Sequence, residues 1–345
     1  MKVLKAISLL TAIFCFSKLQ SQELETILLA KDDATKLTKA YLAPSFKGLM
    51  FAMNNGWYHT AKVHKKFGFD ISIGANAAAV PSQDEIFSIA ELGLSNNTTV
   101  TNGVTTSPTV AGNESITPAE FQYSTQIEGQ NVTANFTMPK GIKEDLPTSA
   151  IPAPAIQVGV GLPYKLDAIV RYVPKIGVDN VKVGLFGLGI KKEITEWFGP
   201  LDKLPLHVSL LAAYSNMSVD YEIGNVSGDV STQNASTEFD LNTYTVQAIA
   251  SLNFPIFNVY GGVGYNAGNV KLNMLGTYTL SYDPAINGAP NVEESITDPI
   301  SLKTNSGSMN ATIGARLSLG FFKLYGSYTL QEYNTLNAGI AFSFR

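Results

Sequence analysis

One pattern recurs along this chain and limits its fold more than any other. Apolar residues alternate with small or polar ones at a spacing of two. In NTLNAGIAFSFR (334–345), Leu336, Ala338, Ile340, Phe342 and Phe344 alternate with Asn337, Gly339, Ala341 and Ser343. GFDISIGANAAA, TYTVQAIASLN, ATIGARLSLGF and FKLYGSYTL repeat it. Successive side chains on a strand point to opposite faces, so each stretch reads as a strand with one apolar face. The pattern predicts an all-β protein.

Two architectures fit. A soluble sandwich turns apolar faces inward, whereas a transmembrane barrel turns them to lipid. Three features favour the barrel. The polar faces carry Ser, Thr, Gly and Asn, and charged residues make up only 15% of the chain, against about 25% in ordinary globular proteins. Aromatics (Tyr172, Tyr214, Tyr244, Tyr260, Tyr282, Phe321 and Phe344) stand near strand ends, as girdles at two membrane interfaces would. Connections alternate short and long when walked back from a C-terminus placed in the periplasm, and barrels combine short periplasmic turns with longer outer loops. The long polar stretches 92–119, 222–241 and 283–306 then read as outer loops. Strand 257–282 changes phase near Gly268, which suggests a bulge.

The N-terminus begins with a basic n-region (Lys2, Lys5) and an apolar h-region from Ala6 to Phe16. Residues 1–21 are expected to be a signal peptide. Its removal takes the formal charge from −4 to −7 and removes Cys15, the single cysteine, so the mature chain has no thiol chemistry. The acidic balance argues against a nucleic-acid partner. Residues 22–63 read as an N-terminal periplasmic helix followed by a plug-like segment, with Pro44 stopping the helix and Trp57 and Tyr58 as plug residues. Residues 64–345 read as the outer-membrane barrel of about 12–14 strands, twelve if 46–63 is plug. Expected partners are outer-membrane lipid, the outer-membrane assembly machinery and a hydrophobic small molecule.

The order of helix, plug and barrel resembles the long-chain fatty-acid transporter (FadL-like) family of outer-membrane proteins. PAPAIQVGVGLPYKLDAIVRYVPK (152–175) resembles that family's paired central strands. NNGWYHTAK (54–62) and VGVGLP (158–163) resemble segments of uncharacterised outer-membrane barrels of Gram-negative bacteria. The family's Asn-Pro-Ala hatch signature is absent, Ala43-Pro44-Ser45 standing nearest, so no binding residue carries over. The resemblance implies passive uptake of a small hydrophobic or amphipathic compound.

Asp70, Asp167, Arg171, Arg316 and Lys323 fall on the inward phase, where charges bridge to a plug or tune selectivity. His207 and Ser209, two apart on one strand, could in principle form a nucleophilic pair. They fall on the lumen side at the periplasmic start of their strand, so the expectation is a polar pair and no enzyme. His59 and His64 lack the further ligands a zinc site needs. No cofactor is implied. The alternatives to uptake are a structural or surface-contact barrel without transport and, more remotely, a barrel hydrolase using His207 and Ser209.

Overall fold

The computed structural model describes residues 24–178, 180–286 and 288–344. The expected signal peptide lies outside them.

A short 3-10 stretch, Ile27–Asp33, leads into helix α1, Ala34–Asn54. Among the described residues sixteen strands follow. The first is β1 (Phe69–Ala78). Next come the short β2 (Ile86–Ser88), β3 (Thr98–Val100) and β4 (Thr106–Pro108), then the hairpin β5 (Glu120–Ile127) and β6 (Gln130–Thr137). The main run is β7 (Ile151–Leu162), β8 (Leu166–Val178), β9 (Val181–Glu193), β10 (Leu206–Gly224), β11 (Val230–Asn253) and β12 (Phe257–Pro284). The chain closes with β13 (Val292–Thr297), β14 (Ile300–Leu319), β15 (Phe322–Leu330) and β16 (Thr335–Phe344).

Fourteen of these strands form one sheet, and the β11–β12 pairing closes part of it into a ring. Among the described residues the ring holds ten strands (β1, β7 to β12 and β14 to β16), every pair antiparallel. The expected 12–14 therefore counts the sheet rather than the ring. The β5–β6 hairpin lies outside the ring and extends from the far tip of β12 at Asp283 and Pro284. The closed ring leaves no unpaired strand edge to face lipid.

A spanning strand needs about 9–11 residues, yet β10, β11 and β12 have 19, 24 and 28. The chemistry of their faces explains the excess. On β12, Phe257, Val259, Val263 and Tyr265 point outward and are exposed, while Asn258 and Asn266 point inward and are buried. Beyond Gly268 the outward residues are Asn269, Lys271 and Asn273, and the buried ones Val270, Leu272 and Met274. The same inversion occurs on β11, between outward Tyr244, Val246 and Leu252 and buried Phe239 and Leu241. The register runs unbroken through Gly268, from Thr243 on one side to Ser306 on the other. The expected bulge near Gly268 is thus corrected: the strand keeps its phase, and its surroundings invert from lipid to water. The one register shift of the β11–β12 ladder lies farther out, between Gln233 and Ser236.

The lipid-facing band on β12 spans Phe257 to Tyr265, about 26 Å of strand at ~3.3 Å per residue, at the short end of the ~9–11 residues a tilted spanning strand needs. Exposed aromatics mark both rims. Tyr172, Phe186, Tyr244 and Tyr265 lie at one, with half-buried Tyr214 between them, and Phe69, Phe257, Phe321 and Phe344 at the other. Phe69 stacks on Phe344 at 5.0 Å. Tyr260 and Tyr282, expected in the girdles, are 2% and 0% exposed and face inward. The ring closure, the apolar band and the aromatic rims make the chain an outer-membrane β-barrel.

Helix α1 lies inside the half that projects beyond the tyrosine rim. Met53, Met50 and Phe46 are buried there, Phe46 against Phe239 at 5.5 Å and Phe51 against Tyr333 at 5.8 Å. This corrects two expectations. Pro44 is buried inside the helix rather than ending it; contacts on several sides compensate for the backbone bond that proline cannot make. The helix also occupies the half opposite the Phe69/Phe344 rim, whereas the expectation puts it on one side with the C-terminus. The segments 222–241 and 283–306, read as loops, are largely strand, because polar outward faces in water look like loop in the sequence.

Candidate functional site

Residues 55–68 leave the helix and run down the lumen without regular structure towards the Phe69 rim. Gly56 makes the turn at φ +73°, where a Cβ would stand 2.8 Å from Asn337 Nδ2. Trp57 then packs flat against the wall because Gly187 and Gly189 of β9 have no side chains; a Cβ on either would meet the indole at 3.1 Å. Trp57 and Tyr58, the expected plug residues, are buried with Ile169, Leu211, Ile249 and Tyr260.

Polar groups latch this segment to the wall. The Arg171 guanidinium lies over the Trp57 ring at 3.8 Å, a cation–π contact. It donates to the carbonyls of Met53 and Asn55 at 2.8 Å each and to Gln157 Oε1 at 2.9 Å. Asp70 Oδ2 lies 2.9 Å from His59 Nε2 and 3.5 Å from His64 Nε2. Asp167 Oδ2 lies 3.1 Å from His64 Nδ1 and 2.9 Å from Lys191 Nζ. Arg316 Nη1 reaches His59 Nδ1 at 2.9 Å. A guanidinium can only donate, so His59 Nδ1 accepts and its proton sits on Nε2, towards Asp70. His59 is held as the neutral imidazole, stacked on Tyr325 at 4.9 Å. His64 faces a carboxylate from each ring nitrogen, so it bridges β1 to β8.

Of the five charges expected in the lumen, Asp70, Asp167, Arg171 and Arg316 thus meet the plug. Lys323 does not; it donates to the Gly320 carbonyl at a turn, 2.6 Å away. The sequence reading missed Lys191, Glu193 and Gln157. Gly187 and Gly189 set the inward phase of β9, and that phase singles out Lys191 from the Lys191-Lys192 pair. His207 Nδ1 pairs with Glu193 Oε1 at 2.7 Å, and Ser209 donates to the Ala61 carbonyl instead of meeting His207. Both tie plug to wall, since Glu193 also accepts from the Val63 amide at 3.1 Å. Among the described residues, no group of three or more His, Cys, Asp or Glu is placed to hold a metal ion.

Above the plug, in the projecting half, lies an apolar cavity of about 270 Å³. Helix α1 lines it with Phe46, Leu49 and Met53, and the wall supplies Val183, Leu185, Met217, Val219 and Met274. Ile151 to Pro154 of β7 and Val173 of β8 also border it. These two strands pair only from Gln157–Arg171 to Leu162–Leu166. Pro152 and Pro154 lack N–H groups two residues apart on one edge. Since the β1 ladder is intact along Ile151 to Val160, the lost donors face β8, and there the pairing stops.

Residues 1–344 match a family of unknown function, DUF6588, and the chain belongs to it. No curated protein matches. Similar solved structures include the attachment invasion locus protein Ail of Yersinia pestis (10% identity, 81% of this chain and 100% of that one, TM-score 0.27). The translocator domain of autotransporter NalP from Neisseria meningitidis shares 10% identity over 92% of this chain and 99% of that one, at a TM-score of 0.30. The outer membrane protease OmpT of Escherichia coli shares 10% over 81% and 99%, at 0.29. At such scores these barrels carry no argument about activity.

Proposed function

We propose that the barrel mediates passive uptake of a small hydrophobic or amphipathic compound, which the projecting half takes from outside into the apolar cavity. The cavity carries this reading. Apolar concave sites with few polar groups are where small ligands bind, and here one lies directly above a plugged lumen.

The latch argues against an open aqueous pore at rest. Separating one buried ion pair costs about 3–5 kcal/mol, a factor of roughly 150 or more in population at ~1.4 kcal/mol per decade. Displacing the plug breaks the pairs of His64 with Asp70 and Asp167, together with the hydrogen bonds that Arg171, Arg316 and Ser209 donate to plug atoms. The divergence of β7 and β8 beside the cavity offers an apolar molecule a side route that leaves the latch intact. The reading includes no catalysis, since the Ser209 proton is committed to the Ala61 carbonyl.

Liposome swelling tests it. Small sugars should give no swelling, and short amphipathic solutes should bind or pass saturably. Rapid sugar swelling would replace the reading with an open pore. A barrel that ignores both solute types would favour the structural or surface-contact reading, which the length of the projecting strands also suits.

A further inference from the structure

The cavity wall contains one charged residue type out of keeping with the rest. Glu25, from the N-terminal segment, lines it with a side chain only 3% exposed. Its Oε1 has no hydrogen-bond partner. Among the described residues, no Lys, Arg or His lines the cavity. Four hydroxyls line the same wall: Tyr41, which donates to the Lys140 carbonyl, Ser45, which donates to the Leu42 carbonyl, Tyr221 and Thr237; none of them reaches Glu25 Oε1. A buried acceptor without a donor is costly and uncommon, and in a cavity it points to a donor brought by a ligand.

We propose that the cavity takes an apolar molecule whose single polar head donates a hydrogen bond to the Glu25 carboxyl, a primary amine or an alcohol, and that it rejects fatty carboxylates. The inference rests on the uptake reading, since it assigns that cavity's substrate class. An amine head gains a charge-assisted bond in a water-poor site. A carboxylate head brings only acceptors and a like charge. Burial pushes the Glu25 carboxyl up to about 7, so at pH 8 it is ionised in the free protein and the contrast between heads is greatest. The volume, about 270 Å³, falls just below the ~300–1,000 Å³ usual for ligand sites, which suits short chains.

The test is calorimetric titration of the refolded barrel in zwitterionic nanodiscs at pH 8, with octylamine, octanol and octanoate, corrected against empty nanodiscs. Octylamine should bind at least tenfold more tightly than octanoate, with octanol between them. Glu25→Gln should bring the three within about threefold, and the cavity-filling Met217→Trp or Val183→Trp should abolish all binding. Retained heat-modifiable mobility verifies that each variant is folded. Octanoate binding as tightly as octylamine, or a preference unchanged in Glu25→Gln, overturns the donor-head inference while the filling variants still uphold the cavity. Absence of binding by all three probes overturns both.

Discussion

The membrane half and the projecting half of this barrel are built from the same strands with opposite rules. Between Phe257 and Tyr265, β12 shows lipid Phe, Val and Tyr and keeps Asn258 and Asn266 inside; from Asn269 to Met274 it shows water Asn and Lys and keeps Val, Leu and Met inside. Only the solvent changes. In the membrane half the lumen is polar and bonds the plug through Arg171, Asp70, Asp167 and Ser209, or its own wall neighbours, as Asn266 does with Thr245. In the projecting half water surrounds the wall, so apolar residues turn inward as in a soluble protein, and the interior becomes a hydrophobic site. A ligand-sized apolar cavity in an otherwise polar-lined barrel follows from that inversion.

Perturbing each half should separate the two rules. The largest effect is expected from Asp167→Ala in the membrane half, which leaves Lys191 and His64 without their shared carboxylate. The variant should lose about 3–5 kcal/mol of stability by urea unfolding in vesicles, and the plug should become cleavable by protease. Ile313→Lys, on the lipid face opposite Gly261 and so midway between Phe257 and Tyr265, should cost about 2–4 kcal/mol at mid-bilayer depth. Ser218→Lys, on the outward phase of β10 beyond Tyr214, should change stability by less than about 0.5 kcal/mol. Equal costs for these two lysines would remove the distinction between the halves.

A smaller effect concerns pH. Asp33 is buried, and although desolvation alone would raise its pKa, bonds from Ser95, Thr98 and Lys36 hold it below the ordinary carboxylate value. A depressed folded pKa contributes stability above the unfolded value, near 4, that is lost as pH falls through the folded one. Glu25 has the opposite sign. Its raised pKa, about 7, means that stability declines as pH rises from the unfolded value through 7. Glu25→Gln should therefore stabilise the N-terminal segment at pH 8, and Asp33→Asn should abolish its acid sensitivity. Amide exchange across residues 24–54 reads both.

The barrel was legible in the sequence because strand alternation is local and repeats. The inward phase alone named Asp70, Asp167, Arg171 and Arg316. Three things were not legible. The inversion at Gly268 looks like a slip of register when read without its solvent. Pro44 looks like a helix stop, because the packing that tolerates it comes from residues as distant as Phe239 and Tyr333. Glu25 looks like one more solvated charge on an amphipathic helix, because the wall that buries it lies up to about 250 residues away in sequence.

The central claim, one unbroken strand crossing from lipid to water at the tyrosine rim, can be tested directly. The measurement is spin-label depth along β12 in bilayers, with single cysteines at Val259, Val263, Tyr265, Asn269, Lys271 and Asn273. The account predicts oxygen-accessible, lipid-facing labels up to Tyr265 and water-exposed labels from Asn269 onward. Lipid exposure continuing through Asn273, or water exposure already at Val259 and Val263, would contradict it.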